Sequence, residues 1–200
     1  MKYGELTLGQ VEAVVNKLGG MEGIQRLLSG ELVISATAKV WQTWKTVKLG
    51  TGLKTADDFC KAVKKAGMKV SNWGSDILGK PAFTVSTEEM EIELVLASVA
   101  ELGFKDGATR KDIYVRAQEL GLDLCPTEVG PQLRLQYKDQ PKGEWLVIAM
   151  EPVTDSDGDL YLFVVEHDDG ELWLNAFNGD PDGVWYGDTR FVFRRRKLAL

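Results

Sequence analysis

The stretch after residue 143 constrains the fold most. Four apolar runs of strand length, residues 144–150, 160–166, 172–177 and 191–195, are separated by Asp155-Ser156-Asp157-Gly158-Asp159, by Asp168-Asp169-Gly170 and by a longer loop over 179–188. Asp-Gly pairs supply the left-handed backbone that a tight hairpin needs. The pattern predicts an antiparallel β-meander joined by acidic turns.

Helical signals dominate the N-terminal part. Thr7 with Gln10 forms a capping-box pattern, and Leu8, Val11, Val15 and Leu18 repeat at helical spacing up to Gly19-Gly20. A second short helix is expected over 21–29, with Ile24, Leu27 and Leu28 apolar. Arg26 is its one cation, which suits a packing hairpin better than a DNA-reading helix.

Residues 32–49 read as β-rich, Thr55 as the cap of a helix to Ala66, and 68–70 as a short strand. Residues 89–96 alternate polar and apolar, as a half-exposed strand does. Thr109 starts a further helix closed by Gly121. Cys125-Pro126 reads as another helix start, which Pro131 must kink or end early. The expectation is an α+β chain with a helical hairpin (1–30), a small basic β-α-β region (31–86), and an α+β region with an antiparallel β-meander and one or two helices (87–200).

Several stretches are familiar. Leu6-Thr7-Leu8-Gly9-Gln10-Val11-Glu12-Ala13-Val14-Val15-Asn16-Lys17-Leu18-Gly19-Gly20 resembles the opening of many hypothetical proteins predicted from metagenomes of uncultivated, small-genome bacteria. The run from Leu120 to Pro126 and on through Val129 to Leu135, the Asp155–Asp159 turn and Gly170-Glu171-Leu172-Trp173-Leu174 are similar too. The resemblance covers the two ends better than residues 31–85. It implies a bacterial, cytoplasmic origin. That family has no established activity, so no catalytic residue is carried over.

Composition narrows the chemistry. Two cysteines, Cys60 and Cys125, and one histidine, His167, are too few for a disulfide framework or a Cys/His zinc site. No Walker loop, dinucleotide fingerprint or nucleophile elbow occurs. The first residues lack an apolar signal core and no apolar run is membrane-length, so a soluble cytoplasmic protein is expected. The net charge of −6 conceals a split. Residues 39–80 are lysine-rich, 151–188 carry acids without Lys or Arg, and 194–197 are basic.

Three constellations follow. Glu151, Glu166 and Asp168 lie among Trp145, Trp173, Trp185, Tyr161 and Tyr186, the aromatic-plus-carboxylate set of a sugar cleft, where paired acids could hydrolyse a glycoside. Trp41, Trp44, Lys45, Lys48 and Trp73 could stack on and neutralise a single-stranded nucleic acid. Asp155, Asp157 and Asp159 alternate like Ca2+ ligands, with Glu166 at the twelfth position but Leu160 where an EF-hand loop needs glycine. Cys125 with His167 would make a nucleophile and base if the fold joined them, although a buried structural cysteine is the simpler reading. The reading that absorbs most of this is a non-enzymatic binding or interaction protein, its ligand a protein, a carbohydrate or a nucleic acid. A carboxylate-dependent hydrolase is the alternative. The ligand-binding set is Trp41, Trp44, Lys45, Lys48, Trp73, Trp173 and Trp185; no cofactor is expected beyond Ca2+.

Overall fold

Thr7 heads the first helix, accepting from the Gln10 amide while Gln10 reaches back to the Thr7 N–H. The computed structural model describes residues 7–32 and 40–196. The β-rich reading of 33–39, and the cations Lys39 and Lys197, lie outside the described residues. The chain divides into two compact units, Met1–Lys39 and Val40–Leu200.

In the first unit, α1 (Leu8–Lys17) and α2 (Gly20–Leu28) pack against each other. Gly23 permits the close approach, since a Cβ there would sit 1.5 Å from the Leu18 carbonyl oxygen. No residue of α1 is buried, and Leu8, Val11, Val14, Met21 and Leu28 are exposed.

The second unit runs β1 (Lys45–Leu49), α3 (Ala56–Lys65), β2 (Lys69–Val70), α4 (Asn72–Leu78), β3 (Met90–Ser98), β4 (Ala108–Thr109) and α5 (Arg110–Glu119). It continues through β5 (Leu122–Asp123), α6 (Val129–Gln136), β6 (Trp145–Ile148), β7 (Val153–Thr154), β8 (Leu160–Asp168), β9 (Glu171–Asn178), β10 (Val184–Trp185) and β11 (Arg190–Arg195). The fold is α+β. Nine strands share one sheet, ordered β1-β3-β11-β6-β8-β9-β2, with β5 on β11 and β7 on β8; β4 and β10 pair separately.

β6, β8 and β9 are antiparallel neighbours, and Asp169 (φ 48°) with Gly170 (φ 79°) makes the tight turn between β8 and β9. The meander expectation fails at the last strand. β11 inserts between β3 and β6, antiparallel to the first and parallel to the second, so the sheet is mixed. Phe191, Val192 and Phe193 are all buried, and a strand apolar on both faces belongs in the centre of a sheet. The sheet also runs across residue 86, because β1 pairs with β3 and β2 with β9.

Helix α6 begins at Val129 rather than at Cys125-Pro126. Pro131 does not end it: it occupies the first turn, where a backbone N–H has no intrahelical partner. Gly130 brings α6 onto the sheet, since a Cβ there would lie 2.6 Å from Phe163 Cγ. Among the described residues no helix is long and apolar enough to cross a membrane.

Candidate binding face

Side chains alternate across a strand, so register assigns each residue to a face. Val47, Ile92, Leu146, Phe163, Val165 and Leu174 share the face on which α6 packs. Phe191 and Phe193, Trp145 and Val147, Val164 and Glu166, and Trp173, Asn175 and Phe177 share the other. That second face is covered over β11 and over the middle of β6 and β8, where Val147, Leu162 and Val164 are buried. The Tyr114 ring of α5 meets Phe191 and Phe193 edge-on, its hydroxyl donates to the Met150 carbonyl, and Trp185 from β10 lies 5.1 Å from Phe191.

Along β9 and at the Glu166–Asp168 end of β8 the face is partly exposed. One register row there reads Lys69, Trp173, Glu166, Trp145 across four strands, because Lys69 pairs with Trp173, Trp173 with Glu166, and Glu166 with Trp145. Trp145 and Trp173 are half-buried, and the Lys69 ammonium stands 5.3 Å from the Trp173 ring centre. Asn175 Nδ2 donates to Glu166 Oε1 at 2.8 Å, which fixes the carboxylate and leaves its second oxygen as an acceptor. Farther along β9, Phe177 is 50% exposed and meets Trp145 at 5.4 Å and Trp185 at 5.5 Å. Beside it lies an open depression of about 460 Å³ lined by Asn178, Asp180, Asp182 and Trp185. A second, of about 450 Å³, lies at the other end against Lys64, Lys69 and Trp173.

A buried polar network braces the row from the opposite face. Arg134 is fully buried on α6 and donates to Gln140 Oε1 (2.5 Å), to the Tyr137 carbonyl and to the Glu166 carbonyl (3.2 Å). Burial lowers its pKa to about 10. The Gln140 amide donates to the Glu144 and Val165 carbonyls, and Tyr137 Oη donates to Glu144 Oε2 at 2.7 Å. His167 Nδ1 lies 2.6 Å from the Gln140 carbonyl oxygen. These bonds tie residues 137–144 to the strand that displays Glu166.

The other residues singled out by sequence fall as follows. Asp168 is exposed on the same face as Glu166, one row on, opposite Glu171; Glu151 lies beyond the far end of β6 from Trp145. Trp185 joins the aromatic cluster. Trp41 is buried, with its indole N–H on the Leu120 carbonyl at 3.1 Å. Trp44 packs edge-on against Tyr137, Lys45 stands over that tyrosine ring, and Lys48 pairs with Glu89. Trp73 is exposed on α4, stacked on Tyr161 of the helix-covered face. Of the set read as a nucleic-acid surface, Trp44 and Lys45 thus meet at Tyr137, with the Lys45 ammonium 5.6 Å from the Trp44 ring centre, while Trp41 and Trp73 engage other partners.

Asp155 Oδ1 accepts from the Asp157 and Asp159 amides, so that oxygen holds the turn. Among the described residues no group of three or more His, Cys, Asp or Glu is arranged to hold a metal. Cys125 is buried with Sγ 3.4 Å from the Val192 carbonyl oxygen, and burial pushes its pKa up, away from a thiolate. It and His167 engage different partners.

Sequence reasoning missed Lys69, Asn175 and Phe177. The alternation of Trp173, Asn175 and Phe177 along β9 carried a signal for the last two; the pairing of Lys69 with Trp173 is non-local and carried none. No protein family, curated protein or solved structure matches this chain.

Proposed function

We propose that this chain is a non-enzymatic binding protein and that the open part of its sheet receives a carbohydrate. The observation that carries the reading is the Lys69–Trp173–Glu166–Trp145 row. Flat indole faces match the C–H faces of a sugar ring, and a carboxylate set between them accepts its hydroxyl protons. A shallow face of this kind favours weak affinity, in the range of about 0.1–1 mM.

Binding is favoured over hydrolysis by the direction of the acids. Glycosidase carboxylates flank the scissile bond. Glu166 and Asp168 project from one face of one strand, roughly 7 Å apart by strand rise, and would reach a sugar from the same side. Both cysteines are free thiols, in keeping with a reducing, cytoplasmic home.

Calorimetric titration with a panel of neutral oligosaccharides tests the reading. At least one should bind, and Trp173→Ala should weaken it about tenfold while the fold persists. A folded protein that binds none of them, or whose affinity ignores Trp173, refutes the assignment.

A further inference from the structure

Among the described residues the nine-stranded sheet ends at β1, and the outer side of an edge strand offers its backbone groups to any other chain. In β1 that offer is already taken. The Lys48 N–H donates to Gln136 Oε1 at 3.0 Å, and Gln136 Nε2 donates back to the Lys48 carbonyl at 2.9 Å. A neighbouring strand exchanges the same two bonds with the residue it faces. Here a side-chain amide of α6 does so.

The amide is held from behind. Gln136 Nε2 also donates to Gln132 Oε1 at 3.2 Å, and Gln132 Nε2 donates to Thr51 Oγ1 (2.8 Å) and to Glu128 Oε1 (2.9 Å). Glu128 Oε1 accepts from the Gly50 amide at 2.9 Å, and its Oε2 from the Ser86 amide at 2.8 Å. Glu128, Gln132 and Gln136 recur every fourth residue and so share one face of the helix. Glu128 and Gln132 are buried, which anchors the ladder, while Gln136 at its end is exposed. The ladder follows the chain from Lys48 through Gly50 to Thr51, as a further strand would. β1 also carries Lys45 and Lys48, the residue type that most often guards a sheet edge.

We infer that the Glu128–Gln132–Gln136 face of α6 is a surrogate strand, which closes the β1 edge and keeps a second copy of this chain from pairing there. Gln136 is the rung that can be removed without opening the core.

The test compares the full chain with Gln136→Leu and with Gln136→Leu combined with Lys48→Thr, which also removes the guarding charge. Loss of the Gln136 bond should speed hydrogen exchange at the Lys48 amide about tenfold. In sedimentation equilibrium the double variant should show a mass that rises above the parent's as concentration increases, through pairing of β1 with β1 of a second copy. A Lys48 amide that exchanges equally fast in parent and Gln136→Leu shows that the amide does not cover the edge. A double variant with the parent's mass at every concentration shows that the ladder does not exclude a second copy. Either result overturns the inference.

Discussion

The same face of the same sheet is treated differently at its two ends. Over β11, Phe191 and Phe193 lie beneath Tyr114 and Trp185 and are fully buried. Over β8 and β9, Trp145 and Trp173 are half-buried and Phe177 half-exposed, with Glu166, Asn175 and Lys69 among them. Alternation in the strands is the same at both ends. What differs is the cover: within the second unit, Tyr114 of α5 and Trp185 of the β4–β10 pair lie over the β11 end. Aromatic residues at the first end are sealed in the core, while those at the second keep part of their surface exposed.

The sharpest way to break this comparison is to truncate one ring at each end. Phe191→Ala should cost about 3–5 kcal/mol in urea unfolding, as removal of a fully buried aromatic does. Phe177→Ala, at 50% exposure, should cost about 1 kcal/mol or less. Equal costs would mean that the open face is part of the core.

Next in size is the brace beneath the row. Arg134→Met keeps the side-chain bulk but leaves Gln140 Oε1 and the Tyr137 and Glu166 carbonyls without their donor. The expected loss is about 3 kcal/mol, with weakened ligand binding because the strand carrying Glu166 loosens. A variant as stable as the parent would show that the network does not hold β8.

A smaller effect comes from pH. Burial raises the Cys125 thiol from its ordinary 9.0 and the Tyr114 phenol from its ordinary 10.0. Both folded values lie above the unfolded ones, so their contribution is complete below pH 9. It declines as pH rises past 9 and then 10, where the unfolded chain loses protons that the folded chain keeps. Each group adds a slope of up to about 1.4 kcal/mol per pH unit. Cys125→Ala should remove the part that begins near pH 9, read as a flatter curve of stability against pH between 9 and 10. A curve identical to the parent's would contradict burial of this thiol.

Local chemistry was legible in the sequence and distant pairing was not. Thr7, Thr55 and Thr109 cap their helices through the hydroxyl, and Asp169-Gly170 makes the tight turn that short polar and glycine residues favour. The candidate site was half visible: Trp173, Glu166 and Trp185 stood out by residue type. Lys69 did not, because about a hundred residues separate it from Trp173 and only the parallel pairing of β2 with β9 joins them. Placement of β11 was hidden for the same reason. Arg134 gave no signal, since an arginine in a short helix reads as solvated until Gly130 draws that helix onto Phe163.

The central claim is that the indoles of the open face meet the ligand and the others do not. The chain has six tryptophans, and each contributes one indole N–H resonance in a nitrogen–proton correlation spectrum. On titration with an oligosaccharide that binds, the Trp145 and Trp173 signals should move progressively, while that of Trp41, held on the Leu120 carbonyl, and that of Trp73 stay in place. Movement at Trp73 or Trp41 with Trp145 and Trp173 unchanged would contradict the account.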